Sequence, residues 1–329
     1  MSLVFARPMH PRDVDRCVQL LRAGGVHPGL LQASLLRQWL RDGRLVARVF
    51  EEVVGTAPVG RLRGCGLSVP VPLDWAQRAC AGAVSPLVEA LLDDPLRLTL
   101  DRRAQARALG EHAMCMFVLG FGLDDEAGAA MDVVNAVAQA AFVQAHAGYG
   151  LRYLIGEVAA HHPQARAYRA SMLAMGCRRA PLPRTAATEV LYLADHHLAD
   201  APYHALYGLF RYQPRRWGFT PAQQALLELA LAGLDDAQVA QHLGLSRHTV
   251  HKRWRAIYAL VDDDPGAWAM LGLSSTRATV RACRGLEKRR HLLDYVRIHP
   301  EELRPWPATA PCLQERDPFW GLRLGHEVS

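Results

Sequence analysis

A chain of 329 residues, half of them hydrophobic, has material for a large core, and its length favours two domains over one. No apolar run reaches the roughly 18 residues of a membrane span, and the opening MSLVFARPMHPRD lacks the charged-then-apolar order of a signal peptide, so a cytoplasmic protein without a membrane partner is expected. A net charge of +6 favours a polyanionic partner, while seven scattered cysteines with no CxxC pair suggest buried thiols rather than a disulfide framework or a zinc module.

Of the 38 basic residues, two are lysines, Lys252 and Lys288. The part before Lys252 therefore cannot hold a GxxxxGK[ST] phosphate loop, a pyridoxal Schiff base or the lysine of a phosphoryl receiver.

Residues 1–213 read as mixed α and β. Strands are predicted at LVFARP near the start and over Arg44–Glu52, Gly60–Val69, Ala113–Leu123, Leu151–Ala159 and Thr188–Asp195. Helical patterns alternate with them, most clearly at Pro11–Arg22, Gly128–Ala147 and Gln164–Met175. A break follows at RYQPRRWG, Arg211–Gly218, where Pro214 and Gly218 flank a basic pair, and residues 214–218 are expected to be a linker.

Beyond it the pattern is helical. Thr220 before Pro221 makes an N-cap with proline at the first helical position, and Leu226, Leu229 and Ala230 ride that helix until Gly233. A second helix starts at Asp235 or Asp236, runs through Val239, Ala240 and Leu243 and turns at Gly244; Ser246 caps a third. Ala240, Gly244 and Val250 have helix-turn-helix spacing: a small residue where helices cross, a glycine free to turn left-handed, and a β-branched plug.

On the third helix, 247–261, Val250, Trp254, Ile257 and Val261 share one face while His248, His251, Lys252 and Arg255 project from the other. A cationic face anchored by an apolar one suits the DNA major groove. Ser246, Arg247, His248, Thr249, His251, Lys252 and Arg255 are therefore the candidate DNA-binding residues, the cations for guanine edges or phosphates and the hydroxyls for the backbone. Another long helix is predicted within Ala278–Trp306, ending before Pro300, with Val280, Leu286, Leu293 and Val296 as apolar contacts; Lys288, Arg289 and Arg290 either grip phosphate or form a solvated face.

The segment GFTPAQQALLELALAGLDDAQVAQHLGLSRHTVHKRWRAIYALV resembles the C-terminal DNA-binding domain of LuxR-type transcriptional regulators. The resemblance implies recognition-helix roles for Thr249, His251, Lys252 and Arg255 and a homodimer reading an inverted repeat. Gln223, Ala225, His251 and Arg253 depart from the usual pattern, which bears on the bases read rather than on the fold.

The order of strands and helices before residue 213, opening with ARPMHPRDVDRCVQLL and closing with ARAYRASMLAMGCR, is similar to the GNAT acyltransferase fold. That similarity implies a loop after the fourth strand whose backbone N–H groups surround the pyrophosphate of coenzyme A. Here the loop is DEAGAA, where Gly128 and Ala130 match, Asp125 replaces a cation or amide, and Asp124 and Glu126 add negative charge. Carboxylates at that point also serve as helix caps. The family's tyrosine acid falls on Met172, with Tyr168 one turn too early.

Glu157 on a strand is either a general base or a capping residue. Asp195, His196, His197, Asp200 and His204 have metal-ligand chemistry but lack a helical i, i+4 histidine pair, so a surface loop is expected there, and His161 and His162 before Pro163 read as turn residues.

The expected protein is thus a bacterial transcriptional regulator and not an enzyme. It comprises a degenerate GNAT-like α/β domain with a mixed sheet, which senses a small-molecule effector or holds a dimer, then an all-α helix-turn-helix domain at 219–263 with a helical extension and proline-rich tail at 264–329. Double-stranded DNA is the partner, with RNA polymerase a further one; no cofactor, metal or catalytic residue is assigned. The alternative is an active acyl-CoA-dependent N-acyltransferase with an appended DNA-binding domain, and a sensor of a lipid-like signal is a third reading.

Overall fold

The computed structural model describes residues 2–54, 60–124, 131–159, 169–170, 172–183, 186–198, 204–264, 266–271 and 285–306. Strand β1 (Ser2–Pro8) leads into a 3-10 turn, Pro11–Asp13, and helix α1 (Val14–Ala23). The turn is locked by reciprocal capping, since the His10 ring accepts Arg12 N–H and the Asp13 carboxylate accepts His10 N–H. Helix α2 (Ala33–Arg41) and the strands β2 (Val46–Val54) and β3 (Arg61–Val71) follow.

Four helices, α3 (Leu73–Cys80), α4 (Leu87–Asp93), α5 (Pro95–Leu98) and α6 (Arg102–Gly110), then separate β3 from its antiparallel neighbour β4 (Cys115–Leu123). Helix α7 (Met131–His146), β5 (Tyr153–Ala159), the short β6 (Arg178–Arg179) and β7 (Thr188–Ala194) complete this part. The predicted strands correspond closely to β1–β5 and β7; the start of the predicted Gly128 helix lies outside the described residues.

The seven strands form one sheet in the order β1-β2-β3-β4-β5-β7-β6. Every pairing is antiparallel except β4 with β5. One face packs Val49, Cys65, Leu67 and Phe117 against Leu21 of α1, Trp39 of α2 and Trp75 of α3. The other packs Val4 and Phe50 under Val134 and Ala141 of α7. Covered on both sides, β4 begins with three buried residues, Cys115, Met116 and Phe117, rather than an alternation. Helix α1 comes unusually close to β4, because a Cβ at Gly122 would lie 2.4 Å from the Leu20 backbone.

The remaining elements are helical: α8 (Tyr207–Phe210), α9 (Pro221–Leu231), α10 (Asp236–Leu243), α11 (Arg247–Asp262), α12 (Ala267–Met270), α13 (Gly285–Ile298) and a 3-10 turn, Pro300–Leu303. Their ends follow from the caps in the sequence. Thr220 with Gln223 and Asp235 with Gln238 form capping boxes, Gly244 closes α10 at φ 65° and ψ 37°, and Ser246 caps α11. Val250, Trp254, Ile257 and Val261 are buried with Leu226, Val239, Trp268 and Leu292, each large side chain contributing about 1.5–3 kcal/mol.

Val296, expected as an apolar contact of the last long helix, is wholly buried in this same core, and Leu293 packs against it. Val280 lies outside the described residues, and of the Leu286 side chain nothing is described.

The helices also touch the sheet domain. The rings of His10 and His242 lie 4.5 Å apart, and Arg102 donates to Gln224 Oε1 at 2.5 Å. Arg304, after the last turn, donates to the carbonyls of Ala147 and Gln144 and covers the ring of Tyr149. Within the stretch expected as a linker, Trp217 is buried and its N–H is taken by Glu302.

Candidate functional site

The parallel pair at the centre of the sheet is short. Cys115–Val118 of β4 pair with Tyr153–Gly156 of β5, and beyond Val118 the strands share no pairing. β4 runs on for five residues, paired with β3, while β5 continues against β7. A bulge marks the divergence: Val118 faces Ser68 and Gly120 faces Leu67, leaving Leu119 as the extra residue. Gly120 takes φ +143°, which a side chain would not allow. Past Val118 the side of the β4 backbone that faced β5 is therefore no longer paired with it.

Glu157 lies on β5 just past the end of that pairing, opposite Val190 of β7. Its carboxylate accepts the N–H groups of Leu87 at 2.7 Å and Val88 at 2.9 Å, and the Thr188 hydroxyl at 2.8 Å. Of its two expected roles this is the capping one, holding the start of α4 over the sheet.

At the end of β4, just before the DEAGAA loop, Asp124 was expected to add negative charge or to cap a helix. It is buried, and its Oδ2 meets Arg61 at 3.1 Å, Arg63 at 3.2 Å and Arg16 at 3.3 Å. Arg63 also pairs with Glu52 at 2.6 Å. The surroundings of this carboxylate are therefore cationic, and its supposed repulsion of a phosphate is removed. Asp125, Glu126, Gly128 and Ala130 lie outside the described residues.

Met172, where the resemblance places a tyrosine acid, is buried in an apolar cluster with Leu154, Leu191 and Cys177. Tyr168, His161, His162 and Asp200 lie outside the described residues. The other metal-like residues have structural partners. Asp195 pairs with Arg152, His197 Nδ1 accepts Ala194 N–H, and His204 donates to Met175 O while accepting Leu206 N–H. Among the described residues no group of three or more His, Cys, Asp or Glu could hold a metal ion, and no helix is long and apolar enough to cross a membrane. Cys17, Cys65, Cys80, Cys115 and Cys177 are free and buried, and burial pushes the Cys80 and Cys115 thiols up to about 12.

The candidate DNA-binding residues are gathered on α11 and its cap. Arg247, His248, His251, Lys252 and Arg255 are exposed. The Ser246 hydroxyl is within 2.9 Å of Thr249 Oγ1 and accepts Thr249 N–H at 3.1 Å, so both hydroxyls are engaged in capping. His251 lies 3.3 Å from Asp236, which also accepts from Trp254 Nε1 and from Arg289. Lys288 and Arg289 are not a free phosphate grip: each pairs with an aspartate and lies over a tryptophan, Trp268 and Trp254 respectively.

The Arg16, Arg61, Arg63 and Asp124 cluster was not identified from the sequence. The clue available was the pair Arg61 and Arg63, two apart and so on one face of the same predicted strand.

No family model matches the chain, and no curated protein matches it. The LuxR-type resemblance of the helical segment thus has no family match behind it. Among solved structures, Arabidopsis thaliana NAA60 in complex with acetyl-CoA is similar over 58% of this chain and 99% of its own, at 12% identity and a TM-score of 0.37. The ribosomal-protein-S18-alanine N-acetyltransferase of Escherichia coli is similar over 58% of this chain and 91% of its own, at 10% identity and a TM-score of 0.32. FeeM, an N-acyl amino acid synthase from uncultured soil microbes, is similar over 64% of this chain and 99% of its own, at 15% identity and a TM-score of 0.34. The expectation that the chain is not an enzyme is not upheld by this comparison, in which the N-terminal region resembles the GNAT acetyltransferase fold.

Proposed function

We propose that the α/β domain is an acyl-CoA-dependent N-acyltransferase. The observation that carries this reading is the splay of β4 from β5 after Val118, with its bulge at Leu119, in a sheet of order β1-β2-β3-β4-β5-β7-β6. The open β4 backbone past Val118 offers amide donors and acceptors to an extended ligand, as a sheet edge does to a peptide. The arginines at its far end suit phosphates.

Acyl-CoA would supply a thioester already reactive toward amines. The chain's task is then orientation and exclusion of water, which accounts for as much as about 7–11 kcal/mol of a barrier when two reactants are held in line. Neither Glu157, occupied in capping, nor the apolar Met172 takes a proton in this scheme. The test is to incubate the full chain with acetyl- to long-chain acyl-CoAs and a pool of amines and amino acids, and to follow free thiol release and acylated products by mass spectrometry. Amine-dependent thiol release supports the reading; no acylated product across the panel sinks it.

A second, compatible reading concerns α11. Its exposed Arg247, His248, His251, Lys252 and Arg255 oppose a buried Val250, Trp254, Ile257 and Val261, and that arrangement favours contact with double-stranded DNA. Selection from a random duplex library by the full chain tests it; retention that shows no sequence enrichment and no dependence on salt would end it.

A further inference from the structure

Where α9 lies against β1 at the edge of the sheet, two guanidiniums share one carboxylate. Arg48 Nη2 of β2 and Arg304 Nη1, after the last turn, stand 3.8 and 3.9 Å from Glu228 Oε1 of α9, beyond hydrogen-bond length. Arg304 is buried, and burial pushes its guanidinium down, but an arginine keeps its proton in a protein, so a full positive charge stands there. Its Nε and Nη2 donate to the Ala147 and Gln144 carbonyls at the end of α7, whereas Nη1 donates to no group among the described residues. Arg48 makes one long bond, from Nη1 to Ala47 O at 3.4 Å, and its Nη2 makes none.

Both forks and Glu228 line one small cavity of about 20 Å³, which Gln144, Ala6 and Leu303 help to close. A polar void of that size holds one water or one ion of similar size and nothing much larger. Arg48 and Glu228 remain 16% and 24% exposed, so the void has a way in from solvent. Buried charges are stable when paired, and here two cations face one carboxylate. The excess is felt nearby, since His146 is pushed down to about 4 first by burial and further by the charges of Arg304 and Arg48. A water in the cavity accepts a hydrogen bond but leaves the charge unbalanced; a small anion accepts the bonds and balances the charge.

We propose that this cavity is a site for one small monovalent anion of the size of chloride, held between Arg48 Nη2 and Arg304 Nη1. It depends on neither the acyltransferase reading nor the DNA reading. One fork comes from β2 and the other from the turn that follows the helical part, so an occupied site ties the helices to the sheet. Glu228 stands too far from both forks to take their hydrogen bonds, and it sets the affinity by cancelling part of the positive charge. Stability then follows occupancy, rising with the anion and levelling off once the site is full.

The experiment is thermal melting of the full chain as sodium gluconate is replaced by sodium chloride at constant ionic strength, for wild type, R48Q and E228Q, with bromide as a second halide. Gluconate is too large for the cavity, so the exchange alters occupancy while screening stays fixed. Wild type should gain stability along a saturating curve, and bromide should act as chloride does. R48Q should lose the saturating part, and E228Q should reach half-saturation at about tenfold less chloride. Cooperative melting in gluconate alone shows that each variant folds. Crystals grown in bromide should show an anomalous peak beside both forks, and this decides the matter if R48Q does not fold. Equal, non-saturating responses in wild type and R48Q would overturn the site, since they report only the general effect of salt. A bromide crystal with no anomalous peak in the cavity would also overturn it and leave a void for a single water.

Discussion

The Glu302 carboxylate accepts the backbone N–H of Trp217 at 3.1 Å, across 85 residues of sequence, and both residues are buried. It accepts Arg216 N–H as well, at 2.6 Å. Burial nevertheless pushes its carboxyl up to about 8, because two N–H groups only partly replace the water it loses.

Stability should therefore fall with rising pH on account of this group. The folded carboxyl keeps a proton that the unfolded one, at its ordinary 4.5, has released, so the contribution is complete below 4.5 and is lost as pH rises through about 8. Melting temperatures of wild type and E302Q, measured from pH 5 to 9, should converge toward acid and separate toward base, the variant falling less. Parallel curves would show that Glu302 is ionised throughout.

Two histidines act in the opposite direction. Burial pushes His146, whose Nδ1 is 2.7 Å from Phe142 O, down to about 4, and pushes down His242, beside His10, Arg7 and Arg12, to about 4. Their contribution is complete above 6.5 and is lost as pH falls through about 4, since the unfolded rings gain protons the folded ones refuse. H146L should keep more of its neutral-pH stability at pH 4.5 than wild type does, measured by urea titration at both values. An identical loss in both proteins would move the acid sensitivity elsewhere.

Gly148 takes φ +77°, and a Cβ there would lie 2.4 Å from the backbone nitrogen of Glu301. G148A should cost the roughly 1–2 kcal/mol of a left-handed non-glycine residue and, in addition, the displacement of the turn carrying Glu302. Gly233, at φ +87° with open space where a Cβ would go, is the control: G233A should cost the conformational part alone. Equal losses in chemical denaturation would mean that the turn yields freely.

Glu157 should matter for stability and little for catalysis. E157A removes the acceptor for Leu87 and Val88 N–H and should cost about 1–2 kcal/mol, whereas E157Q retains an acceptor oxygen and should keep acyl transfer within a few-fold of wild type. A fall of about a hundredfold or more in kcat for folded E157Q would identify it as the general base instead.

Lys252 and Arg255 test the second reading. K252A or R255A should weaken binding to a selected duplex by roughly 1–3 kcal/mol if the side chain reads a base, and should lower the salt dependence if it meets a phosphate. Fluorescence anisotropy at two salt concentrations distinguishes these, and unchanged binding in both variants removes α11 as the contact helix.

Local chemistry was enough to delimit several elements. Thr220, Asp235 and Ser246 as N-caps and Gly244 as the left-handed stop placed α9, α10 and α11 within a residue or two, because a helix end is settled by atoms only a few positions away. The β4 strand was equally legible, predicted at Ala113–Leu123 and found at Cys115–Leu123. The apolar face of α11 was read correctly, since a 3.6-residue repeat is itself a statement about which side is buried.

What the sequence by itself determined, then, is whatever depends on neighbours along the chain: the strands, the helix caps, the buried and exposed sides of α11 and the general order resembling an acyltransferase. Tertiary structure alone decided the charge at the candidate site. Asp124 reads as added negative charge until Arg61 and Arg63, more than 60 residues away, and Arg16, 108 residues away, are brought onto it, and Glu157 reads as either a general base or a cap until α4 arrives from 70 residues away to use it. A carboxylate's role is set by the dipoles and charges within a few ångströms, and in a sheet threaded by long crossovers those neighbours come from parts of the chain that no local pattern connects.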